Sequence, residues 1–194
     1  MSLSEVNDPK KEIGTAKAFG SMLSDYELIK EALSSNVEYC AVKLRGQNSV
    51  TSAISIHLET NSFRTQDVQY YNGTVVTLPV ASSDSAFLIK HACEGLSRIF
   101  KTGLKYKRVG ISFVGLYPDN SIQANLFVET NPKIIKLQKT VDFLNLKYEQ
   151  QTVRLASSGY NRQLWESKAA LRSPRYTTRL NEILNLGEDV LSFK

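Results

Sequence analysis

Six basic side chains, Arg154, Arg162, Lys168, Arg172, Arg175 and Arg179, stand against one acid, Glu166, between residues 151 and 179, so this stretch alone carries +5. Such a bias calls for an anionic partner or a well-solvated surface. Chemistry of other kinds is thinly represented. His57 and His91 have no nucleophile motif beside them and read as packing or surface residues. Cys40 and Cys93 lie far apart, without a CxxC or a neighbouring histidine at ligand spacing, so they read as reduced packing residues and not as a zinc site or a disulfide. The acids are scattered, with no pair placed to hold two divalent ions for phosphoryl transfer, and no nucleotide site is evident. The chain is therefore expected not to be an enzyme by itself and to need no cofactor.

A length of 194 residues, 42% of them hydrophobic, suffices for one cored domain and a smaller appendage. The net charge of +5 and sequence pI near 9.1 are compatible with nucleic-acid binding but do not require it. There is no run of about 18 apolar residues and no apolar leader, so no membrane span is expected and the location expected is cytoplasmic.

Residues 1–10 are polar and are expected to be disordered or an expression remnant. Ile13 to Phe19 has strand character, and Asp25 caps a helix whose apolar stripe is Leu28, Ile29, Ala32, Leu33 and Cys40. From Val50 to Leu58 the pattern alternates, with Val50, Ile54, Ile56 and Leu58 on one face and Thr51, Ala53, Ser55 and His57 on the other. Thr74 to Val80 is a second strand, with a turn expected at Asn72 and Gly73, and the two strands should form a hairpin. Asp84 caps a helix over 84–102, stopped by Gly103, with Leu88, Ala92, Leu96 and Ile99 on one stripe. A last strand runs from Lys105 to Leu116.

The order βαββαβ predicts an α+β fold: a four-stranded antiparallel sheet with two helices on one face, the other face left open. That face should carry small polar and basic side chains, which let a phosphate backbone approach the main chain. Residues 11–117 make this domain, 118–132 a linker, and 133–194 a small basic α/β domain. In the last, Ile134, Leu137, Val141 and Leu144 repeat as a helix, Thr152 to Ala156 has strand character, and Ser157, Ser158 and Gly159 make a turn. So small a unit cannot hold a core alone and should dock on its neighbour.

Several segments resemble the UmuC family, the catalytic subunits of bacterial DNA polymerase V among the Y-family translesion polymerases. Trp165 followed by Ser173, Pro174, Arg175, Tyr176, Thr177, Thr178 and Arg179 is similar to the signature of the small domain that closes these enzymes. Lys11 to Gly14 with Phe19 and Gly20, Thr60 to Arg64, and Lys105 to Ile111 resemble the opening, central loop and last strand of their little finger. The resemblance covers residues 11 to about 180. It implies a little-finger domain that grips DNA, and the basic residues expected to contact the DNA backbone are Lys17, Arg64, Lys105, Lys107 and Arg108. It also implies a palm outside this chain that holds the two magnesium ions.

Within the linker, Gln123, Ala124, Asn125, Leu126 and Phe127 resemble the peptide by which bacterial polymerases dock on the sliding β-clamp. Gln123 would fix register while Leu126 and Phe127 fill a pocket, and Ala124 departs from the leucine usual at the second place. The resemblance further implies a processed UmuD-like subunit and a recombinase filament as partners of the basic tail. A stand-alone, ferredoxin-like adaptor that binds protein and not DNA is the competing reading.

Overall fold

Asp25 accepts the Glu27 N–H at 2.8 Å and so starts the first helix, and Asp84 starts the second by accepting from Ala86 at 3.2 Å. These caps satisfy amide groups that the helix itself leaves without partners. In a computed structural model describing residues 10–121, 132–148, 152–160 and 165–166, the elements run β1 (Ile13–Leu23), α1 (Tyr26–Gly46), β2 (Ser49–Thr60), β3 (Tyr71–Ser82), α2 (Ser85–Ile99), β4 (Tyr106–Pro118) and α3 (Pro132–Tyr148). One-turn 3-10 helices lie at Asp119–Ser121 and Ala156–Ser158.

The sheet is wholly antiparallel, in the order β1-β4-β2-β3. The expected α+β class, the β2–β3 hairpin and the four strands are all present. The order places β2 and β4 in the middle, so each central strand is sandwiched by two partners while β1 and β3 form the edges. Ile54, Ile56 and Leu58 of β2 and Val109, Ile111 and Phe113 of β4 are fully or almost fully buried beneath Ile29, Leu33, Val37 and Leu44 of α1 and Leu88 and Leu96 of α2. Each such residue contributes about 1.5–3 kcal/mol on burial, which makes this layer the main source of cohesion.

Several boundaries differ from expectation. Asn72 and Gly73 form no turn: they lie inside β3, paired with Leu58 and His57. The turn is the loop before them, closed by the Thr60 N–H bonding to Tyr70 O at 2.9 Å. The Gln69 amide braces it by donating to the carbonyls of Asn61, Arg64 and Asp67. Helix α2 stops at Ile99 because Phe100 turns to extended geometry, φ −71 and ψ 135, and Gly103 at φ +84 then redirects the chain into β4. Strand β4 runs on to Pro118, the expected first residue of the linker.

Thr152 to Ala156 is not a strand. The Leu155 N–H, which a strand would give to a ladder, goes to Glu38 Oε1 of α1 at 2.8 Å, and the turn expected at Ser157 to Gly159 is the 3-10 helix Ala156–Ser158 ending at Gly159. The tail docks as its size requires. Leu155 packs against the main core, and Trp165 is part of it at 2% exposure. Helix α3 is tied down by a two-pronged ion pair, Arg45 Nε and Nη2 to the Asp142 carboxylate at 2.6 and 2.7 Å, and by Gln138 donating to Asp84 at 3.0 Å. Its apolar residues Ile135, Leu137, Phe143 and Leu146 are exposed.

Candidate nucleic-acid interface

Strand alternation fixes which side chains share the sheet face away from α1 and α2. The pairing puts Ala18, Arg108, Glu59 and Tyr71 in one row, then Ala16, Gly110, His57 and Gly73, then Gly14, Ser112, Ser55 and Val75. Among the described residues no element covers this face. Gly14, Ala16, Ala18, Gly73 and Tyr71 are exposed, and Ser55, His57 and Ser112 are half-buried. Its floor is therefore flat main chain with few side chains standing on it.

The single basic side chain in these rows is Arg108, and its Nε bonds Glu59 Oε1 at 3.0 Å. The expected basic character is thus confined to one paired arginine and to the sheet end nearest it. Arg64 sits on the β2–β3 loop, 3.8 Å from Asp67, and Lys105 lies exposed just before β4. Because Thr60 pairs with Tyr106, this loop and Lys105 meet at the same end.

Lys17 and Lys107 are elsewhere. Lys17 stands opposite Val109, a core residue, so it projects on the helix side, where its Nζ lies 5.6 Å from the Tyr39 ring and 6.0 Å from that of Trp165. Lys107 turns its Nζ onto Phe19 O at 2.6 Å. The sequence marked these positions by charge alone, and charge does not report which face a strand residue takes. Gln123, Leu126, Phe127 and the run Ser173, Pro174, Arg175, Tyr176, Thr177, Thr178, Arg179 lie outside the described residues. Of the C-terminal signature, Trp165 is described, and it is a core residue.

His57, by its sequence setting a surface or packing residue, occupies the centre of the open face. A Cβ on Gly110 would fall 2.0 Å from its Cε1 and 2.2 Å from its Nε2, so the imidazole lies across β4 in the space that glycine leaves. The Tyr71 ring is 6.3 Å away. Among the described residues neither ring nitrogen of His57, nor the hydroxyls of Ser55 and Ser112, has a hydrogen-bond partner. Alternation in β2 would have placed Ser55 and His57 on one face, but only the pairing register brings Ser112 and Gly110 beside them.

The model of the impB/mucB/samB family C-terminal domain matches residues 10–126, which span the whole sheet and both of its helices. The chain belongs to the impB/mucB/samB family. A second model, a domain of unknown function (DUF4113), matches residues 136–186 of this family member. Protein UmuC of Salmonella typhimurium is 32% identical over 96% of the chain and 44% of its own length. Protein ImpB of Salmonella typhimurium is 29% identical over 94% of the chain and 43% of its own length. The chain thus spans less than half the length of these relatives, and the resemblance to UmuC proteins seen in its motifs is borne out. Two solved structures overlap it loosely. They are DinB from Sulfolobus solfataricus, with a TM-score of 0.41, 14% identity and coverage of 53% of this chain and 28% of that one, and a little finger domain of PolIV complexed with a beta-clamp processivity factor, with 0.39, 17%, 60% and 99%.

Proposed function

We propose that this chain is the non-catalytic C-terminal part of an error-prone translesion DNA polymerase acting in SOS DNA repair and mutagenesis, where it grips DNA and docks on the sliding clamp. The observation that carries the DNA reading is the sheet face built of Gly14, Ala16, Ala18, Ser55 and Ser112, which no other element covers among the described residues. Small side chains let a phosphate backbone approach the sheet closely, and Arg64, Lys105 and Arg108 add charge along one end. Such contacts give affinity without base readout. The two magnesium ions of phosphoryl transfer belong to a palm elsewhere in the whole protein.

The peptide from Gln123 to Phe127 serves the clamp, and the basic tail around Ser173 to Arg179 serves a processed UmuD-like subunit or a recombinase filament. The adaptor reading finds less support, since the open face carries just Val75 and Tyr71 as large exposed apolar groups, both on the edge strand β3. Fluorescence anisotropy on unrelated duplexes over a salt series tests the proposal. Binding that weakens steeply with salt and ignores sequence is expected, whereas no binding at low salt, or a strong preference for one sequence, would overturn it.

A further inference from the structure

We infer that Ser55, His57 and Ser112 form one phosphate-binding site at the centre of the open sheet face, with the imidazolium of His57 supplying its charge. The inference rests on the DNA reading above and assigns a specific contact within it. Ser55 and Ser112 are directly paired across β2 and β4, and His57 follows Ser55 by two residues, so all three project from neighbouring positions. Residues so paired have Cβ atoms about 5 Å apart, a span that one phosphate group can bridge. The site has room because its surroundings lack bulk. Gly14 gives Ser112 its place, as a Cβ there would fall 2.3 Å from the Ser112 hydroxyl, and Gly110 does the same for the imidazole.

Two hydroxyls and an imidazole without protein partners, half-buried on a flat face, are donors waiting for an acceptor. A phosphate diester offers acceptors alone, and a protonated imidazole meets it with a charge-assisted bond. The other ionisable groups facing His57 are Glu59 of its own strand, Arg108 of β4 and Tyr71 of β3, while β1 contributes only alanine and glycine. Glu59 is engaged by Arg108 at 3.0 Å. Protonation of the imidazole adds a charge-assisted bond to the phosphate, so DNA binding should strengthen as pH falls.

The test is anisotropy on a short duplex at constant low salt, at about pH 5.5 and about pH 8, with the unaltered chain, His57→Gln, Ser55→Ala/Ser112→Ala and, as a control on α2, His91→Gln. The unaltered chain and His91→Gln should bind about three- to tenfold tighter at the lower pH, the size of one charge-assisted contact. His57→Gln should lose that gain, and the double serine variant should bind more weakly at the lower pH, with melting temperatures unchanged. Retention of the gain in His57→Gln, or its absence in a chain that does bind DNA, overturns the site and leaves the DNA reading standing. Absence of DNA binding by the unaltered chain at either pH overturns both.

Discussion

The indole N–H of Trp165 donates to Glu31 Oε1 at 2.9 Å, linking the C-terminal tail to the second turn of α1 across 134 positions of sequence. The Trp165 carbonyl in turn accepts from the Gly20 N–H of β1 at 3.2 Å. The ring is thereby seated in the principal core and not in a core of its own. With the Leu155 N–H on Glu38, this holds the tail against α1 and the neighbouring β1.

Trp165→Ala should therefore destabilise the whole unit, sheet included. A buried tryptophan reduced to alanine costs about 3–5 kcal/mol, which lowers the melting temperature of a chain this size by roughly 6–20 °C. Glu31→Ala should cost less, about 1–3 kcal/mol, by leaving the indole donor unpaired. Calorimetry on both variants would decide; a Trp165→Ala chain that melts like the original would mean the tail is dispensable to the core.

The ion pair between Arg108 and Glu59 competes with DNA for the arginine. Glu59→Gln should tighten binding, and Arg108→Gln should weaken it and reduce the salt slope by about 1. Lys17→Gln should change neither, since Lys17 faces Tyr39 and Trp165 on the opposite side of the sheet. An equal loss of affinity in Lys17→Gln would contradict the face assignment.

If residues Gln123 to Phe127 are a clamp-docking peptide, changing Leu126 and Phe127 together to alanine should leave melting almost unaltered and abolish clamp binding. If they belong to a core, the same change should cost roughly 4 kcal/mol or more. Melting and clamp affinity measured on one double variant separate the two cases.

Burial pushes the Cys40 thiol from its ordinary 9.0 up to about 11, and pushes that of Cys93 up as well. Both should resist thiol reagents at mildly alkaline pH until the protein unfolds, because the thiolate is the reactive form. The folded state holds the Cys40 proton more tightly than the unfolded one, so its contribution to stability is complete below about pH 9 and is lost as pH rises toward about 11. Labelling that outruns unfolding would show that Cys40 is accessible.

The local elements were legible in the sequence because their causes are local. Asp25 and Asp84 cap whatever helix follows them, the alternation from Val50 to Leu58 marks a one-sided strand in any sheet, and the motifs from Lys11 to Ile111 carried the family. What the sequence left open depended on contacts between distant positions. Asn72 and Gly73 have turn chemistry, but the Gln69 amide and the Thr60–Tyr70 bond close the loop earlier and leave both residues in the ladder. Thr152 to Ala156 has strand composition, but Glu38, more than a hundred residues away, takes its amide. The site followed the same division: alternation put Ser55 and His57 on the wet face, and basic composition singled out Lys17 and Arg108 alike. Only the register of β2 against β4, and of β1 against β4, set Ser112 and Gly110 beside His57 and turned Lys17 to the helix side, because a strand's facing is fixed by its neighbours' cores and not by its own charge.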